Sequence, residues 1–129
     1  MDKTKVFSVI SLFLCLCSIS NGFNLLYVDV NGPNDPGTGI FEDPYRRIKA
    51  AIDDANDGDI IEIRPGLYTG VGNYDLDPNG AAITIRNTDP NDSNVTAQTI
   101  IDANKAGRGF YIHSGEDANL VVAGLTLRN

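Results

Sequence analysis

A five-residue pattern recurs along this chain and constrains its fold more than any other feature: apolar, any, apolar, basic, turn-former. It occurs as Ile61-Glu62-Ile63-Arg64-Pro65, Ile83-Thr84-Ile85-Arg86-Asn87, Phe110-Tyr111-Ile112-His113-Ser114 and Leu125-Thr126-Leu127-Arg128-Asn129. Alternation of this kind is the period of an extended strand with one face buried. The copies begin 22, 27 and 15 residues apart. The first two spacings suit one coil of a β-solenoid, in which one strand of each coil stacks on the same face. The third is too short for a coil, so the fourth copy is expected on another face of the last coil. Tyr74-Asp75-Leu76, Thr99-Ile100-Ile101 and Leu120-Val121-Val122, offset by 25 and 21, form an expected second column. On this reading Ile61/Ile63, Ile83/Ile85 and Phe110/Ile112 point inward as one stacked core. A β-sandwich also uses short alternating strands about every 10–12 residues, and periodicity leaves both architectures open.

The segment before the first strand has a different character. Lys3 and Lys5 precede an apolar run from Val6 to Leu16, followed by the small residues of Cys17–Gly22. This is the plan of a secretory signal peptide, with cleavage expected after Ser20 or Gly22. The run is shorter than the roughly 20 residues a membrane span needs. Residues 1–22 are therefore assigned as the signal and 23–129 as the mature domain, secreted or at the cell surface, with no membrane span after cleavage. Cys15 and Cys17 both lie inside the signal. The mature domain thus has neither a disulfide nor a cysteine for metal binding or nucleophilic catalysis. Loss of Asp2, Lys3 and Lys5 leaves 16 acidic and 8 basic residues, a net charge of −8. So acidic a chain is not expected to bind nucleic acid, which needs a basic face.

Tyr27–Val30 reads as a strand and Asn31–Gly39 as a loop of turn-formers. A helix is expected next, with Asp43 as N-cap, Pro44 in its first position, and Asn56-Asp57-Gly58 as its end. Tyr45, Ile48, Ala51, Ile52 and Ala55 would form its apolar stripe. Asp89–Ala97 is expected to be a loop excursion from one coil.

The stretch from Tyr27 to Gly70 resembles the opening of secreted right-handed parallel β-helix proteins of the pectin-lyase-like superfamily. The resemblance rests on Asp43-Pro44-Tyr45, Ala51-Ile52-Asp53-Asp54-Ala55, Gly58-Asp59 and Pro65-Gly66-Leu67-Tyr68, and on the later Gly124-Leu125-Thr126-Leu127-Arg128-Asn129. It implies an all-β fold: a right-handed parallel β-helix of about three coils whose open end is capped by the early helix. It also implies an exported protein that binds or degrades an extracellular, anionic polysaccharide. Were it an enzyme, the resemblance implies a polysaccharide lyase or glycoside hydrolase. Members of this superfamily also serve as non-catalytic adhesive scaffolds, which is the alternative. Fold does not dictate function, and no catalytic residue is transferred. Further coils of the same polypeptide are expected beyond residue 129, because solenoids need capped ends.

Outward positions of the recurring strand would form two columns, Glu62/Thr84/Tyr111 and Arg64/Arg86/His113. The second is an expected basic ladder, and with Tyr111 supplies the candidate ligand-binding residues Arg64, Arg86, His113 and Tyr111. Guanidinium groups at strand spacing suit uronate carboxylates or sulfates, and an arginine beside a uronate is a candidate base for lyase chemistry. The simpler reading is a solvated face whose bases pair with neighbouring acids. No cofactor is expected. Calcium is the one cation with clustered loop oxygens to consider, at Asp29, Asp35, Asp75 and Asp77. The run from Asp75 to Gly80 starts like an EF-hand loop but has Arg86 where a bidentate Glu belongs. Asn79-Gly80 reads more simply as a tight turn. His113, Ser114 and Glu116 are too close in sequence to be expected as a triad. Asn91-Asp92-Ser93 and Asn94-Val95-Thr96 are glycosylation sequons.

Overall fold

A computed structural model describes residues 22–129. The signal assignment falls on residues 1–22, almost wholly outside this range. The described chain is mostly sheet, with seven short strands in two parallel sheets and two short helices. Strands β1 (Leu25–Val28), β2 (Ile60–Ile63), β4 (Thr84–Asn87) and β6 (Val121–Ala123) form the first sheet in that order. Strands β3 (Gly66–Thr69), β5 (Thr99–Asp102) and β7 (Thr126–Arg128) form the second. From β2 onward the chain alternates between the sheets. A parallel bridge between Leu76 and Phe110 adds a third place where successive passes meet.

Register corrects the expected stacking. Ile61 pairs with Ile85, not Ile83, and Ile85 pairs in turn with Val122. The third layer of the first sheet is therefore Val121–Ala123 rather than Phe110–Ile112. Ile112 is 48% exposed, so it does not join the inward stack. The expected second column is also dispersed, since Leu76, Thr99–Ile101 and Val121–Val122 lie on three different pairings. The long 103–120 connection, with its turn at Asp117–Leu120, shifts the strand, an effect that local alternation cannot register. The fourth copy does lie on another face, because β7 pairs with β5 in the second sheet.

Two inward stacks make the core. Ile61, Ile85 and Val122 line up across the first sheet, and Tyr68, Ile101 and Leu127 across the second. Ile61, Ile85, Tyr68 and Ile101 are fully buried. The Tyr68 hydroxyl donates to the Arg64 carbonyl at 2.7 Å, which meets the need of a buried polar tip. Burial pushes that phenol well above its ordinary pKa.

Helix α1 (Ile48–Asp54) starts later than expected. Residues Asp43–Tyr45 are not helical but run along β1, with Tyr45 bridged to Val28 and its N–H donating to the Tyr27 carbonyl at 2.9 Å. Gly37 and Gly39, both at positive φ, let the preceding loop close onto Pro44 and Tyr45, where a Cβ would collide. The cap comes from a distant loop. Asn73 Oδ1 accepts from the Ile48 N–H at 3.0 Å, and the Gly72 carbonyl from Lys49 N–H at 2.9 Å. Ile48, Ala51 and Ile52 of α1 are buried and cover the β1 end of the core.

The excursion after β4 contains helix α2 (Ser93–Gln98), capped by Asp92 accepting from the Asn94 N–H at 2.8 Å. Asn79 and Gly80 both take positive φ, as a tight turn requires. One turn device recurs throughout. In Asp29-x-Asn31, Asp77-x-Asn79, Asp89-x-Asn91, Asp92-x-Asn94, Asp102-x-Asn104 and Asp117-x-Asn119, the Asp carboxylate accepts from the N–H two residues on. Such Asx turns reverse the chain without help from the core.

Candidate functional site

The outer face of the first sheet is built by register. Tyr27, Glu62 and Arg86 lie side by side on β1, β2 and β4, about 4.8 Å apart. Arg64 follows β2, and its N–H donates to the Val28 carbonyl at 2.9 Å. Phe41 comes from the loop that covers β1 and packs edge-on to Tyr27, with ring centroids 5.2 Å apart. The Arg64 guanidinium lies 4.5 Å from the Phe41 ring centre and 5.5 Å from that of Tyr27. Its Nη2 donates to the Phe41 carbonyl at 2.8 Å. Two rings and a stacked cation thus make a platform, and Phe41 remains 60% exposed.

The expected basic ladder of Arg64, Arg86 and His113 does not form. Arg86 stands beside Glu62 rather than beside Arg64, and its Nη1 lies 3.0 Å from Glu62 Oε2. Arg64 Nη1 lies 3.3 Å from Asp29 Oδ2. Each guanidinium has a carboxylate neighbour, so the face is electrically balanced. The cause is again the register, which turns one column of bases into an alternation of acid and base.

His113 and Tyr111 belong to a second cluster, on loops 75–80 and 108–116. Their rings stack at 4.0 Å, and the Arg108 guanidinium lies 4.2 Å from the Tyr111 ring centre. His113 Nε2 is 3.0 Å from Asp77 Oδ2, and Ser114 Oγ donates to the same oxygen at 3.0 Å. Serine and histidine both address Asp77 rather than each other, so Ser114 has no base to activate it. Glu116 accepts from the backbone N–H groups of Gly80 and Ser114. The Asn79 N–H, with help from Ser114 and His113, holds the Asp77 carboxyl below its ordinary pKa. This cluster clamps two turns together.

The calcium candidates do not converge. Asp29 faces Arg64, and Asp35 forms a two-point pair with Arg47 at 2.8 Å. Asp75 accepts from the Arg108 N–H, and Asp77 serves the clamp. Among the described residues, no three His, Cys, Asp or Glu side chains are grouped to hold a metal ion. A groove of about 570 Å³ lies between α1 and the 69–72 turn, bordered by Arg47, Lys49, Asp53 and Val71. Its cations are already paired, Arg47 with Asp35 and Lys49 with Asp53.

Sequence reasoning missed Tyr27, Phe41 and Arg108 as site residues. Phe41 reaches Arg64 from 23 residues away, and no local pattern announces that contact. No helix among the described residues is long and apolar enough to cross a membrane. Comparison of the chain with protein-family models, with curated proteins and with solved structures found no match.

Proposed function

We propose that this chain is an exported right-handed parallel β-helix, covered at its β1 end by a helix, that binds an extracellular polysaccharide on the outer face of its first sheet. The two parallel sheets, the passage of the chain between them in successive layers and the helix over one end support the β-helix reading. The resemblance to pectin-lyase-like proteins supports the carbohydrate reading.

The observation that carries the site is the platform of Tyr27, Phe41 and Arg64, continued across the sheet by Glu62 and Arg86. Exposed aromatic rings give a sugar ring an apolar face to stack on, while paired guanidinium and carboxylate groups offer directed donors and acceptors to hydroxyls. A uronate or sulfate would bind the same arginines in competition with Asp29 and Glu62. Because both arginines are held by carboxylates, the arrangement suits binding better than proton abstraction.

A glycan array and a soluble polysaccharide panel, neutral and anionic, test this reading. Binding that is lost in Phe41→Ala with an unchanged circular dichroism spectrum is the expected result. Binding across the panel that ignores Phe41→Ala, or no binding at all, refutes it and leaves the scaffold alternative.

A further inference from the structure

We propose that the turn carrying Lys105 and Arg108, with the rings of Tyr111 and His113 beside it, is a second binding site, separate from the aromatic platform, that takes a sugar bearing a carboxylate or sulfate group. Residues 23–129 carry a net charge of −8, so an anion is attracted only where a cation is left unneutralised. Among the described residues, Arg47, Lys49, Arg64, Arg86 and Arg128 each pair with a carboxylate. Arg46 Nε donates to the Gly32 carbonyl at 2.7 Å. Of the described arginines and lysines, Lys105 and Arg108 are the two that remain, and they share one exposed turn.

The neighbours of Arg108 hold it for this task. Its N–H donates to Asp75 Oδ1 at 2.8 Å, and a Cβ on Gly107 would collide with the same carboxylate. Asp75 therefore fixes the backbone without pairing with the guanidinium, which lies 4.2 Å from the Tyr111 ring centre. Stacking restrains the long side chain and leaves its donor edge open, so little freedom is lost when a carboxylate or sulfate takes two of its N–H groups. Tyr111 is 43% exposed and forms an adjoining wall for a sugar ring. His113, stacked on Tyr111 at 4.0 Å, directs Nε2 at Asp77, and its Nδ1 has no hydrogen-bond partner among the described residues. In the neutral imidazole that donates Nε2–H to Asp77, Nδ1 is an acceptor for a hydroxyl. A hydroxyl acceptor next to a fork for an oxyanion suits an acidic sugar better than a free anion. That the oxyanion arrives on a sugar rests also on the carbohydrate reading above.

Backbone amide chemical shifts of the full chain test this, read as glucuronate, a sulfate ester of glucose, glucose or sodium sulfate is added at constant ionic strength. The acidic sugars should shift residues 105–113 saturably and glucose should not. Sodium sulfate should bind at least about tenfold more weakly, for want of the hydroxyl and ring contacts. A response to one acidic sugar alone supports the site and names its anion. Arg108→Gln, at an exposed position, should keep the fold and remove the response, whereas Phe41→Ala should preserve it. A response that never appears, that glucose matches or that survives in Arg108→Gln overturns the proposal. So does an equal response to sodium sulfate, which would make the site one for an adventitious ion only, and so does loss of the response in Phe41→Ala. Polysaccharide binding that ignores Phe41→Ala while this response persists refutes the platform and leaves the second site standing.

Discussion

Ile85 and Val122 are neighbours in one stack, yet truncating them should have very different consequences. Ile85 is fully buried, between Ile61 on β2 and Val122 on β6. Ile85→Ala removes three carbons, about 2.4 kcal/mol at roughly 0.8 kcal/mol each. The close-packed neighbours Ile61 and Ile83 cannot fully refill the space, so a cavity term raises the loss to about 3–4 kcal/mol. Val122→Ala removes two carbons from a side chain already 38% exposed, and should cost about 1 kcal/mol or less. Domains of this size have about 5–15 kcal/mol of stability in total. Ile85→Ala should therefore lower the melting temperature by roughly 12 °C or more and Val122→Ala by only a few degrees. Urea denaturation followed by far-ultraviolet circular dichroism reads both. Equal losses for the two variants, or a loss below about 1 kcal/mol for Ile85→Ala, would refute the register and the exposure of Val122 together. Ile85→Asp should prevent folding, because it buries an unpaired charge. Ile112→Asp, at a half-exposed site outside the stack, should fold.

Five further outcomes are expected. Asn73→Ala removes the acceptor for the buried Ile48 N–H and the donor to the Thr69 carbonyl; it should cost about 1–3 kcal/mol in urea unfolding. Tyr68→Phe leaves the Arg64 carbonyl without its 2.7 Å donor, for a loss of about 1–2 kcal/mol. In the parent protein, alkaline spectrophotometric titration should show the Tyr68 phenol ionising only on unfolding, since burial raises its pKa. The Asp77 and Asp102 carboxyls are held below their ordinary value, Asp77 chiefly by the Asn79 N–H and Asp102 chiefly by the Asn129 side chain. Their stabilising effect is complete above the ordinary carboxylate pKa and is lost as pH falls through the lower folded values. Melting temperatures measured from pH 6 to about pH 2.5 should show an acid-side fall that Asp77→Asn with Asp102→Asn makes shallower. Arg64→Ser removes a cation stacked on Phe41 and Tyr27, its bond to the Phe41 carbonyl and its pair with Asp29; it should cost about 1–2 kcal/mol in urea unfolding and weaken any glycan binding that depends on Phe41.

Local chemistry was legible in the sequence. The alternation in Ile61-Glu62-Ile63 and Thr84-Ile85-Arg86 identifies strands with a buried face, and burial on alternate residues of β2 and β4 follows it. The apolar stripe of Ile48, Ala51 and Ile52 marks the helix that covers the core. The tight turn at Asn79-Gly80 follows from residues that tolerate positive φ. The six Asp-x-Asn turns are equally local, but the sequence reading did not pick out their spacing, and the hydrogen bonds revealed them.

Tertiary structure decided everything that depends on which segments meet. Alternation has a period of two, so it states which residues share a face but not which strand lies opposite. Setting Ile61 against Ile85 rather than Ile83 places Glu62 beside Arg86 and replaces a basic ladder with balanced pairs. The start of α1 depends on Asn73, 25 residues downstream, and the aromatic platform on Phe41, 23 residues from Arg64. Propensity acts between neighbours in sequence, whereas pairing, capping and stacking act between neighbours in space. The chain therefore carries its strands and turns in its local pattern, and only its packing makes a face from them.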